Sequence, residues 1–236
     1  MKQLLQASGL GKTFGGVTAA RDVSIEISEK QVVCVIGANG AGKSTLFNML
    51  CGALTPDVGQ VIFDGESLVG LPLHEFARKG IARKFQVPSV FGSLTVNQNL
   101  KLSCRDTSKT KTLDTRTERM LERIDLVELR DVTASLLAHG QKQWLEIGMA
   151  LMSQPRLLLL DEPTAGMTPE ETQKTADLIL SAAEETAVMA IEHDMGFVRA
   201  LNCQTYVMHQ GEIIVQGDFK DVGRNERVRD VYLGKA

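Results

Sequence analysis

The sequence predicts an α/β fold: a buried, mostly parallel sheet with a helical lobe inserted partway along the chain. Three observations carry that prediction. Continuous apolar runs at residues 31–36, 157–160 and 186–191 read as strands buried on both faces, the pattern of parallel sheets. A glycine-rich stretch follows the first run at once and leads into helical spacing. From about residue 94 to 153 the apolar periodicity is helical.

Taken in order, Val23, Ile25 and Ile27 alternate with polar residues, as in a half-buried strand. Residues 31–36 form a buried strand, and 44–51 are apolar at helical spacing. Residues 60–65 read as a strand closing on the Asp64-Gly65 turn. Helices are expected at 97–102, 114–126 and 141–152, with the polar stretch 105–111 as an exposed loop. Sheet grammar resumes with the strand at 157–160, a helix over 169–183 and the strand at 186–191. Residues 203–215, centred on Gln210-Gly211, predict a closing hairpin, and a short helical tail is expected to end near Tyr232.

With 236 residues, 43% of them hydrophobic and 23% charged, the chain can bury the core of one large domain. The balance of 26 basic and 29 acidic residues gives a net charge of -3, which argues against nucleic acid or an anionic membrane as the default partner. No apolar stretch approaches the roughly 18–20 residues of a membrane span, and Met1-Lys2-Gln3 does not open a secretory signal. The expectation is a soluble, cytoplasmic chain. Cys34, Cys51, Cys104 and Cys203 are widely spaced without a Cys-x-x-Cys pair, so neither a disulfide nor a zinc site is expected.

Residues 37–44, Gly37-Ala38-Asn39-Gly40-Ala41-Gly42-Lys43-Ser44, fit the Gly-x4-Gly-Lys-Ser pattern between a predicted strand and a helix. Glycines let backbone N–H groups wrap around phosphate, Lys43 adds a full charge near the outer phosphates, and the Ser44 hydroxyl suits Mg²⁺. The apolar run at 157–160 ends in Asp161 and Glu162, two carboxylates that would be costly there without a cation or a reacting water to meet. Asp161 is the candidate Mg²⁺ ligand and Glu162 the candidate general base. Gln86 and His193 follow strand-like segments, where open α/β sheets place ligands.

The ordered set of Phe14, the phosphate loop, Gln86, Leu137-Ala138-His139-Gly140-Gln141, Asp161-Glu162 and His193 resembles the nucleotide-binding subunit of ATP-binding-cassette (ABC) transporters. That resemblance implies a P-loop ATPase fold with an N-terminal antiparallel β subdomain. It also implies a single domain, with a core over 1–93 and 154–236 and a helical lobe over about 94–153. It implies ATP and Mg²⁺ as cofactors. Phe14, with Val17, would meet the adenine, residues 39–45 including Thr45 the phosphates, and Ser44, Gln86 and Asp161 the metal. Lys43, Gln86, Glu162 and His193 would form the catalytic set, with His193 at the γ-phosphate. In this family the segment 137–141 starts a helix facing the ATP of a second subunit, so that two chains sandwich two nucleotides. Implied partners are that second cassette, transmembrane permease subunits and, indirectly, a solute-binding protein, with the chain peripheral on the inner face of the membrane.

Residues 80–91, 138–149, 165–168, 192–195 and 231–234 further resemble the urea-type subunit of the branched-chain amino acid importer group, with Trp144 and Met149 the most distinctive. This points to import of urea, a related amide or a branched-chain amino acid. A soluble ABC-type scaffold or regulator that moves no solute is the alternative. Two departures stand out. Ala138 replaces the serine that hydrogen-bonds the γ-phosphate across the dimer, with His139 in place of the following glycine, and Thr168 stands where the family has aspartate. His74 and His209 are expected at the surface, Trp144 to pack with Ile147, Leu151 and Met152, and the charges over 116–130 to form a solvated helix face.

Overall fold

The computed structural model describes residues 2–84, 89–104 and 110–228, with 110 and 111 described by backbone alone. The elements run β1 (Gln3–Phe14), β2 (Val17–Ser28), β3 (Val32–Ile36), α1 (Lys43–Leu50), β4 (Val58–Phe63), β5 (Glu66–Ser67), α2 (Leu73–Arg78) and β6 (Ile81–Lys84). They continue with α3 (Val96–Leu102), α4 (Thr110–Arg123), α5 (His139–Met152), β7 (Leu157–Asp161), α6 (Pro169–Ala182), β8 (Ala187–Glu192) and α7 (Met195–Leu201). The β9 (Gln204–His209) and β10 (Glu212–Asp218) hairpin and the short α8 (Phe219–Val222) close the described chain.

Two sheets form. The antiparallel one has the order β2-β1-β4-β5, and the other the order β10-β9-β3-β8-β7-β6. In the second, β9, β3, β8, β7 and β6 are all parallel, and only β10 is antiparallel to its neighbour. Strand pleating splits the apolar runs between two cores. Val33, Val35, Leu157, Leu159, Met189 and Ile191 face the antiparallel sheet and α1. Cys34, Ile36, Leu158, Leu160, Val188 and Ala190 face the helices, among them α5 and α6. The parallel sheet is therefore the shared middle layer, and its C-terminal edge is left for loops.

Most expected elements stand within a few residues of their predicted bounds. Asp64-Gly65 and Gln210-Gly211 both have positive φ at each position, the signature of type I′ hairpin turns. The expected loop at 105–111 is corrected in part. Residues 105–109 lie outside the described residues, whereas Thr110 and Lys111 already belong to α4. The tail near Tyr232 and Gln86 also lie outside the described residues. His209 is half-buried on β9 and not at the surface, while His74 is exposed beside Glu75, its Nε2 3.3 Å from Oε1. Among the described residues, no helix is long and apolar enough to cross a membrane.

The four cysteines are buried thiols, none of them in a disulfide. Tertiary folding brings Cys34 and Cys203 into contact, Sγ to Sγ 3.4 Å, across 169 residues of sequence. On the 116–130 face, Glu118 takes the Arg130 guanidinium in a two-pronged pair, while Arg123 turns inward and its Nε donates to Ser181 Oγ at 3.1 Å.

Candidate functional site

The phosphate loop joins β3 to α1 at the sheet's C-terminal edge, with Gly42 as the helix N-cap at φ 102°. Two of its glycines are there because the loop is pressed against other strands. A Cβ on Gly37 would sit 2.3 Å from the Met208 carbonyl of β9, and one on Gly42 would sit 2.3 Å from the Ala19 carbonyl of β2. The Gly211 N–H donates to Ala41 O at 2.9 Å, so the β9–β10 turn clamps the loop from outside. Asn39, Gly40 and Ser44 stay exposed, and Thr45 is half-buried.

Lys43 folds back over the loop, Nζ donating to the carbonyls of Gly37 (2.7 Å) and Ala38 (3.1 Å). Burial lowers its pKa, while the fields of Glu162, Asp161 and Glu192 oppose the shift. A lysine charge is thus held at the loop by backbone carbonyls, placed to meet an anion.

The β1–β2 hairpin brings Phe14 and Val17 to its tip, where they are cross-strand partners around Gly15-Gly16. Both are exposed, at 48% and 70%, and Lys12 Nζ stands 5.8 Å from the Phe14 ring centre. Since Ala19 touches Gly42, this apolar tip lies only a few residues along β2 from the phosphate loop.

On the same edge, β7 ends in Asp161 and β8 in Glu192, adjacent strands whose pairing registers Asp161 with Ile191. Burial is the larger cause of a raised Asp161 pKa, with repulsion from Glu162 adding to it and Lys84 and Lys43 opposing. Glu162 adopts φ 44°, a left-handed backbone uncommon for a residue with a Cβ. It is held there by its N–H to Ile191 O at 3.0 Å. The turn aims its carboxylate at His193, Nδ1 to Oε1 3.3 Å. His193 is 56% exposed at its side chain, so it faces the same opening.

Ala138 caps α5 with extended backbone (φ -62°, ψ 163°), and Gln141 Oε1 accepts the Ala138 N–H at 2.9 Å. This is half a capping box, because alanine has no oxygen to offer in return. His139 Nε2 lies 2.9 Å from Ala165 O, and a carbonyl only accepts, so Nε2 carries the proton. Gly140 packs against Glu171, where a Cβ would meet the carboxylate at 2.5 Å. The N-terminus of α5 is thus tied to the loop after Glu162, while Ala138 and His139 remain exposed. Thr168, in the position expected to hold aspartate, caps α6 and accepts the Glu171 N–H at 3.3 Å. Lys43, Asp161, Glu162 and His193 therefore gather at one edge, and Ala138–Gln141 join it through Ala165.

The family model for ABC transporters matches residues 20–165. The chain belongs to the ABC transporter family, as an ATP-binding subunit. It is similar to the high-affinity branched-chain amino acid transport ATP-binding protein BraF of Pseudomonas aeruginosa, 38% identical over 100% of this chain and 99% of that one. It is also similar to LivG of Escherichia coli, named for the same transport, at 36% over 99% and 98%. Among solved structures it matches the ADP conformation of an ABC transporter's ATP-binding cassette, with TM-score 0.87 and 31% identity over all of both chains. The cassette is an ATPase whose turnover serves transport.

Two groups in this ABC subunit escape sequence reading. Glu192 is 1% exposed and bridges both sides of the edge. Its Oε1 accepts from Thr164 N–H (3.1 Å) and Oγ1 (2.7 Å), and its Oε2 from His193 N–H (3.1 Å). An acid ending an apolar run was the available signal, and it stood beside His193. The second is the buried pair of Lys84 on β6 and Glu146 on α5, with Nζ 3.7 Å from Oε2. Burial lowers the lysine and raises the glutamate from their ordinary values.

Proposed function

We propose that this ATPase drives an importer, with a branched-chain amino acid as the broad solute class and urea or a related amide as the narrower choice within the group. The observation that carries this reading is the full-length similarity to two subunits named for branched-chain amino acid transport. The urea-type choice rests on the motif resemblance around Trp144 and Met149. A scaffold without transport is not favoured, because these relatives are named for transport along their whole length.

In this reading two cassettes close on two ATP molecules, and the exposed N-terminus of α5 meets the nucleotide of the partner cassette through free N–H groups. Phe14 and Val17 hold the adenine, the loop from Asn39 to Thr45 with Lys43 holds the phosphates, and Glu162 takes the proton of the attacking water. His193, oriented by Glu192 through its backbone and by Glu162 at its ring, meets the γ-phosphate. Gln86 joins this set in the expected family role. The donors fit Mg²⁺ as it usually binds, by few protein oxygens plus phosphates: one hydroxyl (Ser44) and one carboxylate (Asp161), whose pKa is raised by burial and by neighbouring Glu162. Mg²⁺ would neutralise charge developing on the phosphates. Phosphoryl transfer then rests on positioning and charge, without a covalent intermediate. The core over 1–93 and 154–236 would carry the nucleotide and the lobe over 94–153 the surface offered to the partner cassette. The assembly would sit on the inner face of the membrane with its permeases, supplied by a solute-binding protein.

Co-expression with the neighbouring genes and pull-down in detergent is expected to recover multi-span subunits. Reconstituted vesicles should then take up labelled leucine or urea on ATP addition. Recovery of the chain alone, or of a complex that moves neither solute, overturns the reading.

A further inference from the structure

Helix α5 carries a polar stripe on its inward side. His139, Gln143 and Glu146 follow at spacings of four and three residues, which places them on one face. His139, the outermost, holds Ala165 in the loop after Glu162. Gln143 is fully buried, its amide nitrogen 3.4 Å from the same imidazole nitrogen. Glu146 lies innermost, and its two oxygens do different things. Oε1 accepts the backbone N–H of Ser89 at 3.0 Å, and Oε2 faces the Lys84 ammonium at 3.7 Å.

Lys84 is the last residue of β6 and is 0% exposed. It pairs in register with Leu160, the residue before Asp161. One carboxylate on α5 thus holds the chain on both sides of residues 85–88 and, through β6, the strand that ends in Asp161. Retaining two such charges away from water is costly, and apolar replacements of a buried pair are often neutral or stabilising. A role in geometry accounts for their presence better than a role in stability.

We propose that Glu146 is a positioning residue for ATP hydrolysis, fixing the α5 N-terminus relative to the Asp161–Glu162 edge by gripping Lys84 and Ser89. This rests on the reading of Glu162 as general base and of the α5 N-terminus as the surface that meets the partner's nucleotide. ATP binding by the phosphate loop does not use this grip, whereas turnover requires both surfaces in one geometry. Misplacement by about 1 Å is enough to cost roughly a hundredfold in rate.

The test is the whole 236-residue chain as wild type, E146Q, K84M/E146M and E162Q. ATP affinity is measured by calorimetry, melting by calorimetric scan, and kcat and KM are expressed per ATP-binding site so that misfolded chain does not count. K84M/E146M is expected to melt no lower than wild type and to bind ATP within about twofold, yet to lose about ten- to a hundredfold in kcat with KM little changed. E146Q keeps an oxygen for the Ser89 N–H and should fall between the two. Wild-type kcat per site in K84M/E146M overturns the proposal, as does a loss confined to KM or to ATP affinity. A failure of the underlying reading shows separately, as wild-type turnover in E162Q.

Discussion

Ala138 has two claims on any hydroxyl placed there. Its extended backbone is that of an N-cap, so a serine could accept a backbone N–H of the first turn, worth about 0.5–2 kcal/mol. Its exposure also leaves it open, in the proposed two-cassette reading, to the partner's nucleotide, where a hydrogen bond to a charged group is worth about 1.5–3 kcal/mol. We expect A138S to melt higher and to turn over about tenfold faster, read by calorimetric scan and by phosphate release. A melting gain without a rate gain would mean that the cap takes the hydroxyl or that the γ-phosphate already has its donor. His139 does not replace the missing serine in the isolated chain, since its Nε2 proton is given to Ala165 O. At Glu162 the left-handed backbone and the 3.3 Å approach to His193 argue for a group held for work. E162Q should keep ATP affinity and lose about 10²- to 10⁴-fold in turnover, and wild-type phosphate release in that variant would remove it from the catalytic role.

The elements show what a sequence can and cannot disclose. The apolar run at 157–160 and the glycine loop at 37–42 were legible because burial and backbone freedom leave local marks, one in composition and one in residue type. What joins elements leaves none. The Glu192 bridge to Thr164, the His139 contact with Ala165 and the Glu146 grip on Lys84 and Ser89 span 28, 26, 62 and 57 residues, and nothing local in the sequence marks either end of such a contact. Trp144 sits between these cases. A packing role on the stripe with Ile147, Leu151 and Met152 followed from the helical spacing, but its placement against α6, with the indole N–H donating to Thr175 Oγ1 at 2.9 Å and Lys174 Nζ 5.5 Å from its ring, did not. W144F keeps an aromatic side chain but replaces the indole by a smaller phenyl and removes the donor, so part of any cost is lost packing, while Thr175 still donates to Glu171 O at 2.8 Å. The expected cost is about 1–2 kcal/mol in denaturant unfolding with ATP affinity unchanged; a cost near zero would assign the hydrogen bond no net value.

At the scale of the molecule, the edge that gathers Asp161, Glu162 and Glu192 concentrates negative charge, which Lys43 and Lys84 help to offset. Asp161 has its pKa raised by burial and by Glu162, so its ionised form is disfavoured in the folded chain relative to the unfolded one. The sign follows by linkage: a carboxylate with a raised folded pKa costs nothing below the unfolded value of about 3.9, and its penalty grows as pH rises through the folded value. D161N removes that penalty. In the nucleotide-free chain it should melt above wild type at pH 7, and the gain should shrink to nothing as pH falls below about 3.9. Mg²⁺ and ATP should invert the order, because a ligand stabilises the state that binds it, and in the proposed reading Asp161 is the carboxylate that would hold the metal. Melting curves at pH 3.5 and 7, with and without MgATP, decide this. A nucleotide-free D161N that melts below wild type at pH 7 would mean that Lys43 and Lys84 already neutralise the edge.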